Sequence, residues 1–197
     1  MKVIGITGGI GSGKSAATRV LGELGAVVID ADRVGHEVYQ PGSVGWERVV
    51  AEFGPQVVAA DGTIDRQRLG AIVFSDPAQL ARLNAIVHPL IRDAVAARIG
   101  AEQGAGRAPA IVVEAALLVE ARWNTLVDEV WVIIAPQALV EQRLATQRGL
   151  APAAVAARIR AQLGDTERAA QAHVVIENSG SLDQLRERLT AVWRDRV

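Results

Sequence analysis

Short apolar runs alternate with stretches of helical spacing along this chain, and the alternation is interrupted once. Val3-Ile4-Gly5-Ile6-Thr7 is brief, apolar and β-branched, the pattern of a strand buried on both faces. Ala16 to Leu24 reads as a helix, and Val27-Val28-Ile29 as a second strand ending at Asp30-Ala31-Asp32. From Val34 to Gly104 the spacing is mostly helical, with turns at Pro41-Gly42, Asp61-Gly62 and Asp76-Pro77. Ser75 or Asp76 is placed to cap a helix beginning near Pro77. The glycine- and alanine-rich run from Gly100 to Ala108 marks the return of the chain to its core. Strands resume at Ala110-Ile111-Val112-Val113-Glu114, Val130-Trp131-Val132-Ile133-Ile134 and Val174-Val175-Ile176. Two alanine-rich helical stretches, Ala138 to Arg148 and Pro152 to Ala172, separate the last two strands. Leu182, Leu185, Leu189, Val192 and Trp193 give the closing helix one apolar face. Five short strands with intervening helices predict an α/β fold: a three-layer α/β/α arrangement around a five-stranded parallel sheet. The segment between strands two and three is too long for a simple crossover and reads as a helical insert.

The first strand and first helix are joined by Gly8-Gly9-Ile10-Gly11-Ser12-Gly13-Lys14-Ser15, which fits the phosphate-loop pattern G-x-x-x-x-G-K-[ST]. Glycines let successive backbone N–H groups curl around a phosphate, and the helix N-terminus adds partial positive charge. Residues Gly9 to Ala16 are therefore the candidate nucleotide contacts: Gly9, Ile10, Gly11, Ser12, Gly13, Lys14, Ser15 and Ala16. Lys14 supplies charge for the β- and γ-phosphates, and the Ser15 hydroxyl is placed for Mg²⁺. The expected ligand is ATP with Mg²⁺. The loop gives nucleotide binding and not the reaction; no guanine-reading Asn-Lys-x-Asp follows a late strand, and a strand-end carboxylate, a helical insert and arginines after the fourth strand narrow the expectation to the P-loop kinase type with a helical insert and lid.

The remaining chemistry is read from position. Asp30 and Asp32 end the second strand, the sheet edge at which open α/β folds bind ligands. Asp32 is the candidate to orient and deprotonate an acceptor hydroxyl; capping the next helix is the alternative for either residue. Arg143 and Arg148, after the fourth strand, resemble lid arginines that neutralise charge on a transferred phosphoryl group, with Arg158, Arg160 and Arg168 nearby; a solvated helix face is the alternative. Glu114 is either a strand-end carboxylate or one that reaches Mg²⁺ through water. His88, before Pro89 and near Arg92, reads as a structural hydrogen-bonder or an acceptor-site residue. The four tryptophans read as packing.

Composition narrows the partners. The chain has 197 residues, half of them hydrophobic, a formal net charge of −1 and no cysteine. No basic excess points to nucleic acid, no apolar run approaches the roughly 20 residues that span a bilayer, and glycine interrupts the N-terminal apolar run where a secretory signal would continue. The expectation is a cytoplasmic protein acting on small molecules.

Thr7 to Ser15 followed by Val28-Ile29-Asp30-Ala31-Asp32 closely resembles the dephospho-CoA kinase family. Further matches follow in order: Asp61-Gly62-Thr63-Ile64-Asp65-Arg66, Val73-Phe74, His88-Pro89-Leu90-Ile91-Arg92, Leu117-Leu118-Val119-Glu120, Gln162, and Val175-Ile176-Glu177-Asn178. The resemblance implies ATP-dependent phosphorylation of the ribose 3′-hydroxyl of dephospho-CoA, the last step of coenzyme A synthesis. It implies Asp32 as the base, Arg66, His88, Arg92 and Leu117 at the acceptor site, and Asn178 beside the nucleotide. It also implies three parts: a core of residues 1–33, 105–135 and 172–197, an acceptor domain of residues 34–104, and a lid of residues 136–171. Two rival classes stand beside it, a kinase of the same fold with another acceptor and an ATP-binding switch without acceptor-stimulated turnover.

Overall fold

The computed structural model describes residues 1–148, 155–156, 159–160 and 162–197 of the chain. Five strands, β1 (Lys2–Thr7), β2 (Val27–Asp30), β3 (Ala110–Glu114), β4 (Glu129–Ile134) and β5 (Val174–Glu177), pair in parallel in the order β2-β3-β1-β4-β5. The five-stranded parallel sheet flanked by helices is thus the fold that the hydrophobic pattern predicts. The three central strands are apolar because helices and turns cover both their faces. In β1 every residue from Val3 to Thr7 is buried, whereas the four-residue edge strands β2 and β5 each bury one side chain and leave Val28 and Val175 exposed.

The helices among the described residues are α1 (Lys14–Glu23), α2 (Ala31–Glu37), α3 (Val44–Phe53), α4 (Arg66–Ser75), α5 (Pro77–Ala105), α6 (Gln137–Arg148), α7 (Asp165–Ala169) and α8 (Leu182–Arg196). Ala17 and Leu21 of α1 and Leu185, Leu189 and Trp193 of α8 join Ile4, Ile6, Trp131, Ile133 and Ile176 in one core over one face of the sheet. Beneath the other face lies Leu118, against Gly5, where an added Cβ would come within 2.6 Å of a Leu118 methyl. The chain divides into two compact units, residues 1–30 with 99–197, and residues 31–98.

Three boundaries differ from the sequence reading. Helix α1 begins at Lys14, because Gly13 adopts the left-handed conformation of an N-cap at φ +101°. Helix α5 runs through Pro89 and on to Ala105, past the expected return at Gly100. Two glycines cost a helix only about 1 kcal/mol each, and the stop comes at Gly106, whose φ of +62° and N–H bond to the Glu102 carbonyl close the helix from its C′ position. The stretch read as one helix from Pro152 to Ala172 lies partly outside the described residues; within them a new helix, α7, starts after Gly164, whose N–H donates to Glu167 Oε2 at 3.0 Å.

Leu21 is fully buried between α1 and the sheet. Leu21→Ala should lower unfolding free energy by about 3 kcal/mol, read as a shifted denaturation midpoint at unchanged denaturant slope.

Candidate active site

The sheet order places the end of β1 at a reversal: the connections from β1 lead to β2 and β3 on one side, and β4 and β5 lie on the other. Such a switch point opens a crevice at the carboxyl ends of the strands. The loop from Gly8 to Gly13 occupies it. At Gly8, with φ +155°, a side chain would run into the Ile133 carbonyl of β4. At Gly13 a side chain would strike the Asn178 amide, which donates through Nδ2 to the Ser12 carbonyl at 2.8 Å. Asn178 is itself buried, and its N–H donates to the Ile134 carbonyl at 2.7 Å. The loop is curled against β4 and β5 by contacts that tolerate only glycine. Lys14 turns its ammonium back along the curl, to the carbonyls of Gly8 at 2.8 Å and Gly9 at 3.1 Å. The first-turn N–H groups of α1 open toward the same space and carry the partial positive charge of the helix end.

On the β3 side of the loop, Glu114 accepts from Ser15 Oγ at 3.0 Å and from Thr18 Oγ1 at 2.7 Å. A hydroxyl and a carboxylate at the start of α1 are oxygen donors of the kind Mg²⁺ takes. Among the described residues no group of three or more His, Cys, Asp or Glu side chains is arranged to hold a metal.

On the β4 side lies a cavity of about 310 Å³. Its walls are Gly9, Ile10 and Ser12 of the loop, Ala135 and Gln137 after β4, and Gln162, Asp165 and Arg168. Gln162 Oε1 accepts the Ile10 N–H at 2.8 Å. Arg168 is 1% exposed and donates through Nη2 to Glu120 Oε1 at 3.0 Å, with Asp165 Oδ1 3.7 Å from Nη1. Arg143 stands on the outer side of the loop and donates to the carbonyls of Gly11 and Asn178 at 3.3 Å. The side chain of Arg148 and the whole of Arg158 lie outside the described residues.

The family model for dephospho-CoA kinase matches residues 2–184. The chain belongs to the dephospho-CoA kinase family. A dephospho-CoA kinase of Symbiobacterium thermophilum is 45% identical over 194 residues, 98% of this chain and 81% of that relative. The crystal structure of TT1252 from Thermus thermophilus superimposes with a TM-score of 0.82 at 34% identity, covering 100% of this chain and 98% of that one. The dephospho-CoA kinase from Campylobacter jejuni does so with a TM-score of 0.74 at 26% identity, over 98% and 96% of the two chains.

Of the residues singled out in the sequence for a dephospho-CoA kinase, the first compact unit brings together Gly9 to Ala16, Glu114, Arg143 and Asn178 around the loop. Leu117 lies in the turn after β3 and is 37% exposed. Asp32, Arg66, His88 and Arg92 belong to the second unit. There Asp32 occupies the first turn of α2 and Arg66 the start of α4, beyond its Asp65 cap. His88 and Arg92 share one face of α5 at i, i+4. Tyr39, unremarked in the sequence, is half-buried; burial raises its phenol, and the Arg66 cation opposes that rise. Its signal was that it is the single tyrosine of the chain. Also unassigned from sequence were the burial of Arg168 and its pairing with Glu120.

Burial pushes the His88 imidazole below its ordinary value of 6.5. As the pH falls, the unfolded chain therefore takes up a proton at this ring before the folded chain does. Stability from this group is complete above pH 6.5 and is lost as the pH falls through the lower folded value. Between about pH 7.5 and about pH 5.5, a window that brackets the ordinary histidine range, His88→Gln should lose less stability than the parent in urea titrations; equal losses would contradict a lowered His88 value.

Proposed function

We propose that this chain transfers the γ-phosphoryl group of ATP to the ribose 3′-hydroxyl of dephospho-CoA, giving coenzyme A and ADP. The observation that carries the reading is the family match over residues 2–184 on a chain whose phosphate loop is folded at the switch point of the sheet. The loop from Gly9 to Ala16 and the α1 terminus hold the polyphosphate, and Lys14 leaves its loop carbonyls for the β- and γ-phosphate oxygens. Ser15, with Glu114 behind it, is the place for Mg²⁺, which when bound would neutralise charge shared by the β- and γ-phosphates. Asp32 accepts the hydrogen bond of the acceptor hydroxyl and then its proton. Arg66, His88, Arg92 and Leu117 are assigned to dephospho-CoA, with His88 acting as a neutral hydrogen-bonding group. Arg143, bonded to the Gly11 and Asn178 carbonyls, acts at the site by bracing the loop, and Arg148 is assigned to the phosphates. Residues 34–104 serve as the acceptor domain and residues 136–171 as the lid, which excludes water from the transfer.

No helix among the described residues is long and apolar enough to cross a membrane. We assign the reaction to small-molecule substrates in the cytoplasm.

ADP release measured with and without dephospho-CoA tests the reaction; turnover indifferent to that acceptor would refute it. In the same assay Asp32→Asn should lower kcat by roughly 10²–10⁴-fold with little change in the KM for ATP. Lost ATP affinity at preserved kcat would instead put Asp32 on the nucleotide.

A further inference from the structure

We infer that Arg168 also meets the transferred phosphoryl group, held in place by Glu120, an assignment that rests on the kinase reading above. The loop itself gives the direction. Its helix end cradles the α- and β-phosphates, so the terminal phosphoryl group lies toward the strand end, at Gly8 and Gly9. The Lys14 ammonium stands there already, 2.8 and 3.1 Å from those two carbonyls. A second cation stands there too. A Cβ added to Gly9 would lie 3.6 Å from Arg168 Nη1, with Asp165 Oδ1 also at 3.6 Å and Gln162 Oε1 at 3.9 Å.

The fork of Arg168 is incompletely used. Nη2 is committed to Glu120 at 3.0 Å, but Asp165 lies 3.7 Å from Nη1, outside hydrogen-bond range, and its side chain is 47% exposed. Nε is buried and has no hydrogen-bond partner among the described residues. In the same cavity the buried Ser12 hydroxyl also lacks one. An unsatisfied buried donor is costly, and Arg168 and Ser12, the two residues that carry these orphan groups, both line the cavity beside the phosphate loop, where a ligand rich in oxygen would meet donors not yet spent. Asp165, distant and half in water, is the partner that a phosphoryl oxygen replaces on Nη1. Glu120, close and more buried, keeps the guanidinium aimed. The planar fork then meets the phosphoryl oxygens without having to be ordered at the moment of transfer. Arg143 is spent differently, its donors on the Gly11 and Asn178 carbonyls.

The test compares the parent with Arg168→Met and with the double variant Arg168→Met/Glu120→Gln, in which Glu120 is no longer a charge deprived of its partner. Thermal unfolding, turnover with dephospho-CoA, and Kd for ADP and for a non-hydrolysable ATP analogue are measured on each. The single variant should lose both stability and kcat. The double variant should regain stability, keep the ADP affinity of the parent, and remain about 10³-fold slower, with the preference for the analogue over ADP reduced. A double variant that regains near-parental kcat along with its stability overturns the assignment, because the pair would then be structural alone. If the parent shows no dephospho-CoA-dependent turnover, the acceptor reading fails by itself. The ratio of analogue to ADP affinity then decides: reduced in the double variant it supports Arg168 on the terminal phosphate, and unchanged it overturns it.

Discussion

The hydrogen bond from Asn178 Nδ2 to the Ser12 carbonyl closes the phosphate loop across 166 residues of chain. A curl of this kind belongs to neither helix nor strand, and its backbone groups must be held from outside. The sheet order makes that possible. Strand β4 lies beside β1 and β5 beside β4, so the residue that follows β5 reaches across the Ile134 carbonyl to the loop. Gly13 leaves open the path that the amide takes, and its left-handed φ launches α1 in the same step. Strand pairing, loop shape and helix start are thus one constraint seen at three positions.

That constraint was legible because its demands are local. The glycines, Lys14 and Ser15 are contiguous, and the apolar central strands announce themselves without a partner. Asn178 followed the last strand and carried its meaning only through resemblance, yet the structure gives it a physical task. Other parts were illegible for equally physical reasons. Gly100 and Gly104 look like a loop when counted, but helix α5 absorbs them because only Gly106 takes up the left-handed conformation that ends it. Arg168 lies in a short polar segment and looks like part of a solvated face. It is buried because Glu120, 48 residues earlier, comes to meet it, a pairing to which no periodicity corresponds. The charge between Tyr39 and Arg66 is similarly non-local.

Strand β3 and its turn emerge as the organiser of charge around the loop. Glu114, at the strand's end, touches Ser15 and Thr18 on one side. Glu120, six residues on by number, touches Arg168 on the other. Between them Leu118 is driven under the sheet against Gly5, where there is no room for a side chain. One apolar anchor therefore sets two carboxylates at fixed places, one beside Ser15 and Thr18 of α1 and the other beside Arg168. The charges around the loop thus depend on a leucine buried beneath the sheet.

The brevity of β2 and β5 bears on how the chain survives its own synthesis. An exposed strand edge offers unpaired N–H and C=O groups to any neighbouring chain. Here each edge offers four residues, and each ends in a carboxylate, Asp30 or Glu177. A protein without cysteine has no disulfide to secure its margins; these edges guard against sheet-to-sheet aggregation by being too short and too charged to serve as templates.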